Sequence, residues 1–178
     1  MKAPERIETR RLVLQRPIAT DVEAIFDRYA SDREVTRFMS WPVHQSLADT
    51  RAFLAFSDAE WDRWPAGPYL VRSRTDGTLL GSTGLAFEMP YRAVTGYILA
   101  KDAWGNGYAT EALQAVVEAA RAVGVRRLYA LCHPEHQASW RVLEKCGFVR
   151  EGTLRRYAVF PNLNPGEPCD VICYALVF

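Results

Sequence analysis

Trp104-Gly105-Asn106-Gly107-Tyr108-Ala109 lies between the apolar run Gly96-Tyr97-Ile98-Leu99-Ala100 and a helical pattern that begins at Thr110. The order reads as strand, glycine-rich loop, helix. At such a junction several main-chain N–H groups point outward at a helix N-terminus, where unpaired donors and the positive end of the dipole hold phosphate without lysine or arginine. The expected chemistry is backbone binding of a phosphorylated cofactor. A dinucleotide fingerprint fits poorly, because the third glycine position of G-x-G-x-x-G falls on Thr110.

Two further groups of residues invite chemistry. Cys132, His133 and His136 suggest a metal site or a Cys–His nucleophile, yet they stand at a strand end beside Pro134 with no zinc-type partner pair, so no metal is expected. Cys169 and Cys173 share one face of a strand, where packing is the simpler role. Phe38, Met39, Trp41, Trp61, Trp64, Phe87, Met89 and Tyr91 concentrate large apolar side chains in one part of the chain. Most of them suit a core, and a few would suit a pocket wall.

The elements that hold these residues follow from periodicity. Leu12-Val13-Leu14 alternates as a strand ending at Pro17, and Thr20 to Glu23 has capping-box spacing ahead of Ile25, Phe26 and Tyr29. Ser31 and Glu34 repeat that spacing before a second short helix, and Ser46 can cap a longer one that stops before Pro65. Tyr69-Leu70-Val71 and Leu79-Leu80-Gly81 flank Asp76-Gly77, a hairpin signal, and Thr83–Phe87 and Thr95–Ala100 extend the meander. Ala112, Leu113, Val116, Val117 and Ala120 recur at helical spacing up to Gly124. Leu128–Leu131 reads as a buried strand, Ser139–Cys146 as a second amphipathic helix, and Val171–Phe178 as a central strand apolar on both faces. This succession predicts an α/β or α+β sheet covered by helices.

Length and composition agree with one domain over residues 1–178. With 22 basic and 21 acidic side chains the net charge is +1, so neither nucleic acid nor an anionic membrane is an expected partner. The N-terminus lacks an apolar signal core and no segment is apolar enough to span a bilayer, so a cytoplasmic protein with reduced cysteines is expected.

Two blocks in this order, Gly96 to Leu113 and His133 to Phe148, resemble the GNAT acetyltransferase superfamily, in its RimJ/RimL-like branch of ribosomal-protein N-terminal acetyltransferases. The resemblance runs from about Ile7 to the C-terminus. It implies one GNAT-like domain with a mixed, mostly antiparallel twisted sheet of about seven strands, open in a V between the fourth and fifth. It implies acetyl-coenzyme A as cosubstrate, its pyrophosphate on Gly105, Asn106, Gly107, Tyr108, Ala109 and Thr110 beside Trp104, and its pantetheine arm along Ile98 and Leu99. Trp104 stands where many superfamily members carry Gln or Arg, and His136 where the family usually has Asn in a cofactor contact. Ser139 matches the family's residue near the coenzyme A sulfur, with an ordinary first-turn serine as the alternative. Glu88 falls near where the family often places a carboxylate that acts through water, against the alternative of a solvated loop residue.

The activity implied is N-acetylation of a primary amine, on a protein N-terminus or a small molecule, by direct attack in a ternary complex with no metal. A monomer or homodimer is expected. A non-catalytic acyl-coenzyme A sensor on the same fold is the rival reading.

Overall fold

The computed structural model describes residues 2–178. One eight-stranded sheet runs in the order β1(Arg6–Glu8), β2(Leu12–Gln15), β3(Pro68–Ser73), β4(Leu79–Met89), β5(Arg92–Leu99), β6(Arg127–Cys132), β8(Pro168–Val177), β7(Val149–Val159). Neighbours are antiparallel except β5 and β6, which run parallel. The strand absent from the sequence reading is β1, an edge of three residues too short to display an alternation. It moves the opening of the sheet from the fourth and fifth strands to the fifth and sixth. The last strand is interior as expected, since β8 lies between β6 and β7 and buries Val171 to Ala175.

The early helices differ from the capping-box reading. A 3₁₀ turn Ala19–Asp21, α1(Val22–Ile25) and a π-helical turn Phe26–Ala30 form one broken segment, and its first N–H bond runs from Ile18 to the Asp21 carboxylate at 2.9 Å. Asp21, not Thr20 or Glu23, is the capping side chain. After Ser31 there is no second helix, because Asp32 accepts the N–H groups of Glu34 and Val35 and closes a turn instead. Ser46 does hold the N-cap position of α2(Leu47–Arg63), where Asp49 accepts the N–H groups of Gln45 and Ser46.

Side-chain alternation divides the core between the two faces of the sheet. Tyr69, Val71 and Leu99 face α3(Tyr108–Ala122), which buries Ala112, Leu113, Val116 and Ala120 against them, and α4(Gln137–Lys145) adds Leu143. Leu70, Leu79 and Ile98 face the opposite way and meet Ile25, Tyr29 and Leu54. The aromatic concentration splits accordingly: Trp61, Trp64 and Phe87 join the first cluster, whereas Met89 and Tyr91 lie exposed at the β4–β5 turn. Among the described residues, no helix is long and apolar enough to cross a membrane.

At Gly81 the backbones of β4 and β5 approach so closely that an added Cβ would sit 2.0 Å from the Ile98 carbonyl oxygen. Gly81→Ala should therefore separate the two strands and cost about 3 kcal/mol, the upper range for overpacking. Urea denaturation measures it, and an unchanged midpoint would mean that the approach is not needed.

Candidate functional site

The parallel pairing of β5 with β6 covers only Arg92–Arg127, Ala93–Leu128 and Val94–Tyr129. Beyond it, β5 stays paired to β4 as far as Leu99 and β6 to β8 as far as Cys132, so the sheet opens into a wedge whose inner edges carry unpaired main-chain groups. Thr83 and Thr95 hold the β4 side firm by donating across the pair to the carbonyls of Gly96 and Gly84. A cavity of about 790 Å³ passes through the wedge.

At the wide end of the wedge stands the glycine loop. Gly105 and Gly107 adopt φ of 75° and 76°, the left-handed conformation that glycine accepts without strain, and Gly107 is the N-cap of α3. The helix starts at Tyr108, two residues earlier than its apolar pattern, leaving the first-turn N–H groups with no intrahelical acceptor. An added Cβ at Gly105 would meet nothing within 4 Å. The loop is shaped by its own side chains: Asn106 donates to the Trp104 carbonyl at 2.9 Å, and the Trp104 indole donates to the Leu99 carbonyl at 2.8 Å. Leu99 itself points into the core, whereas Ile98 lines the cavity.

Behind the loop is a support that the sequence reading missed. Arg11 donates to the Asn106 carbonyl at 2.9 Å and to Glu111 at 2.7 Å, and its guanidinium lies over the Tyr108 ring. Thr9 and the Arg11 N–H also donate to Glu111. Burial pushes the Glu111 carboxyl up, but these donors outweigh it and hold the pKa below the usual range. The pairing crosses about a hundred residues of sequence, and no local spacing reveals it. Arg10 and Lys145 line an open depression beside Gly107 and Thr110.

Opposite the loop, the first turn of α4 brings Ser139 and His136 to the cavity wall. Ser139 is buried, its Oγ lies 3.0 Å from the Tyr97 hydroxyl, and Tyr97 donates to the Ser139 carbonyl at 2.8 Å. Burial, only partly offset by Ser139, raises the Tyr97 pKa, so both hydroxyls stay protonated. His136 stacks on Phe38 with ring centroids 4.6 Å apart, and burial, helped by His133, pushes its pKa down to about 4. Nearby, the Cys132 thiol is buried and pushed up to about 11, which leaves it unreactive. Among the described residues, no group of His, Cys, Asp and Glu forms a metal cluster.

The far half of the cavity is walled by the segment from Phe38 to His44 and by α2. Asn162 pins that segment by donating to the carbonyls of Thr36 and Trp41 and accepting from the Val43 N–H. His44 hydrogen-bonds Thr50 at 2.9 Å, and burial lowers its pKa despite Asp49. A lone histidine near Trp41 carries no motif in the sequence. Glu88 is exposed outside the cavity wall, accepting from the Tyr129 hydroxyl at 2.7 Å and pairing with Arg92 at 2.8 Å.

A family model described as an acetyltransferase (GNAT) domain matches residues 11–149. The chain is 32% identical over 179 residues to the uncharacterized N-acetyltransferase YoaA of Bacillus subtilis (strain 168), with 96% of each chain covered. Its fold matches the acetyltransferase (GNAT family) from Bacillus anthracis at a TM-score of 0.82 and 27% identity, over 97% of this chain and 98% of that one. It also matches RimL, a ribosomal L7/L12 alpha-N-protein acetyltransferase solved with coenzyme A, at a TM-score of 0.86 and 25% identity, over 98% of both chains.

Folded His136 takes a proton only near pH 4, whereas in the unfolded chain it does so near 6.5. Between those values the unfolded state binds more protons, so acidification favours unfolding. Stability should fall from pH 6.5 to 4, and His136→Asn should lessen the fall. Equal pH slopes for the two proteins in thermal denaturation would refute a buried, neutral imidazole.

Proposed function

Because the chain belongs to the GNAT acetyltransferase family, we propose that it moves acetyl from acetyl-coenzyme A to a primary amine of a protein N-terminus or small molecule, by direct attack in a ternary complex. The observation that carries this reading is a single wedge with a glycine cradle at one end and a cavity reaching both faces of the sheet. The cradle offers N–H groups where two phosphates can approach the main chain, and the unpaired β5 edge offers donors and acceptors to an extended amide arm. The ribosomal-protein activity named for RimL supports an N-terminal amine, and the cavity supports a small one.

The thioester supplies an activated acyl carbon: the amine attacks it, the C–N bond forms, the C–S bond breaks, and the thiolate takes a proton. A free β5 N–H suits the developing oxyanion. The Ser139 and Tyr97 hydroxyls, paired at 3.0 Å, suit protonation of the departing sulfur, the least demanding step for a good leaving group. A primary amine with pKa about 10 arrives as ammonium and must lose its proton first. His44, neutral and on the cavity wall, is the candidate for taking that proton directly, whereas Glu88, outside the wall, would need an intervening water.

Acetyl-coenzyme A-dependent thiol release tests the reading. Gly107→Trp should raise KM for acetyl-coenzyme A by at least about tenfold, as when charge-assisted hydrogen bonds to phosphate are lost. Binding of acetyl-coenzyme A without turnover on any amine would favour the sensor reading instead. His44→Gln should lower kcat by roughly 100-fold while Glu88→Gln changes it less than His44→Gln does. The reverse order would assign the base to Glu88.

A further inference from the structure

We propose that the acceptor is a small primary amine with an aromatic or similarly bulky apolar body and no carboxylate or phosphate near its nitrogen. The inference rests on the acetyl-transfer reading above. Helix α2 buries Thr50, Leu54, Ser57 and Trp61, and turns a second stripe, Asp49, Phe53 and Phe56, toward the cavity. The two stripes have the i, i+4, i+7 spacing of adjacent helix faces. Phe56 is 50% exposed, a large ring on the cavity wall that the fold itself does not cover. Across from this stripe stand Phe38, Met39 and Trp41.

Charge on this wall is one-sided. Asp49 is the only acidic residue among the lining residues, and none of them is lysine or arginine. Arg37 lies over the Phe38 ring at 5.1 Å but is not part of the wall. Backbone N–H groups of Gln45 and Ser46 hold the Asp49 carboxyl below its usual range, so it is ionised and attracts an ammonium group. A carboxylate or phosphate on the acceptor would lose water here and find no cation in exchange. A polypeptide is a poorer fit. The acceptor half is walled by aromatic side chains, and Asn162 ties the covering segment down with three hydrogen bonds.

The full chain with acetyl-coenzyme A would be assayed for thiol release on 2-phenylethylamine, phenylalanine, phenylalanine amide and a phenylalanyl tripeptide amide. Acetyl-coenzyme A binding would be measured separately by calorimetry. The amine should exceed phenylalanine in kcat/KM by at least about 100-fold, since burying an unpaired charge is what is being compared. Phenylalanine amide should fall near the amine, and the tripeptide well below it. Phe56→Arg, a change at an exposed position, should bring phenylalanine within about tenfold of the amine by supplying a carboxylate partner. If acetyl-coenzyme A fails to bind, the transferase reading falls. If it binds and phenylalanine or the tripeptide equals the amine, or none is acetylated, only the acceptor class is overturned. The ratios of the unaltered protein decide the matter even if Phe56→Arg does not fold.

Discussion

Everything at the site depends on how early β5 and β6 part. Each strand is secured on its outer side, β5 by pairing with β4 from Arg92 to Leu99 and β6 by pairing with β8 throughout, yet they share only three residue pairs. A buried main-chain N–H or C=O without a partner costs free energy, so a sheet opened in this way is stable only if water or a ligand meets the exposed groups. The secured outer sides hold the strands apart. The wedge thus exposes backbone groups of β5 and β6, and the side chains around it set its width and close its ends.

The connections explain why the cradle faces the wedge. A parallel pair requires a crossover, and here the crossover is α3, packed on the face that carries Leu99 and Leu128. Between the end of β5 at Leu99 and the start of α3 at Tyr108 come a 3₁₀ turn, Lys101–Ala103, and the glycine loop, which together turn the chain from the strand into the crossover helix. Trp104 closes β5 by taking the Leu99 carbonyl, and Arg11 from the far side of the sheet braces the loop through Asn106 and Glu111. One partly buried ion pair therefore links the N-terminal strands to the glycine loop. Since Glu111 relies on these donors, removing Arg11 would leave a half-buried carboxylate beside the glycine loop without its cation.

What was legible in the sequence was local. The glycine loop, the hairpin at Asp76-Gly77, the helical period of α3 and the two-faced β8 each follow from residue spacing over a few turns, and each stands where the spacing places it. The misread parts were competitions between side chains for the same N–H groups: Asp21 took the cap from Thr20, and Asp32 closed a turn where Ser31 and Glu34 suggested a helix. The acceptor half was less legible because it is assembled from long range. Asn162 reaches Trp41 across more than a hundred residues, and the burial that shifts His44 comes from the folding of distant segments around one cavity. Glu88 was read as following an apolar strand but lies within β4, which runs on to Met89, and its partners, Tyr129 and Arg92, come from other strands.

Apart from Asp49, the shifted groups around the wedge are pushed toward their neutral forms. His133, His136 and His44 are shifted down, and Cys132, Cys146 and Tyr97 up, each with burial as the first cause, so all of them are held in the neutral form at pH 7. A nearly neutral chain and a cavity whose lining carries one acidic residue and no lysine or arginine fit the proposed division in which anion binding is left to backbone dipoles outside the apolar space. That separation matters for amine chemistry. A fixed cation near the thioester would suit an oxyanion but would also repel the ammonium form of the acceptor, whereas N–H groups stabilise the oxyanion without that charge. On the proposed reading, Asp49 near one end would draw an ammonium group to the cavity, and the uncharged walls inside would favour the free amine.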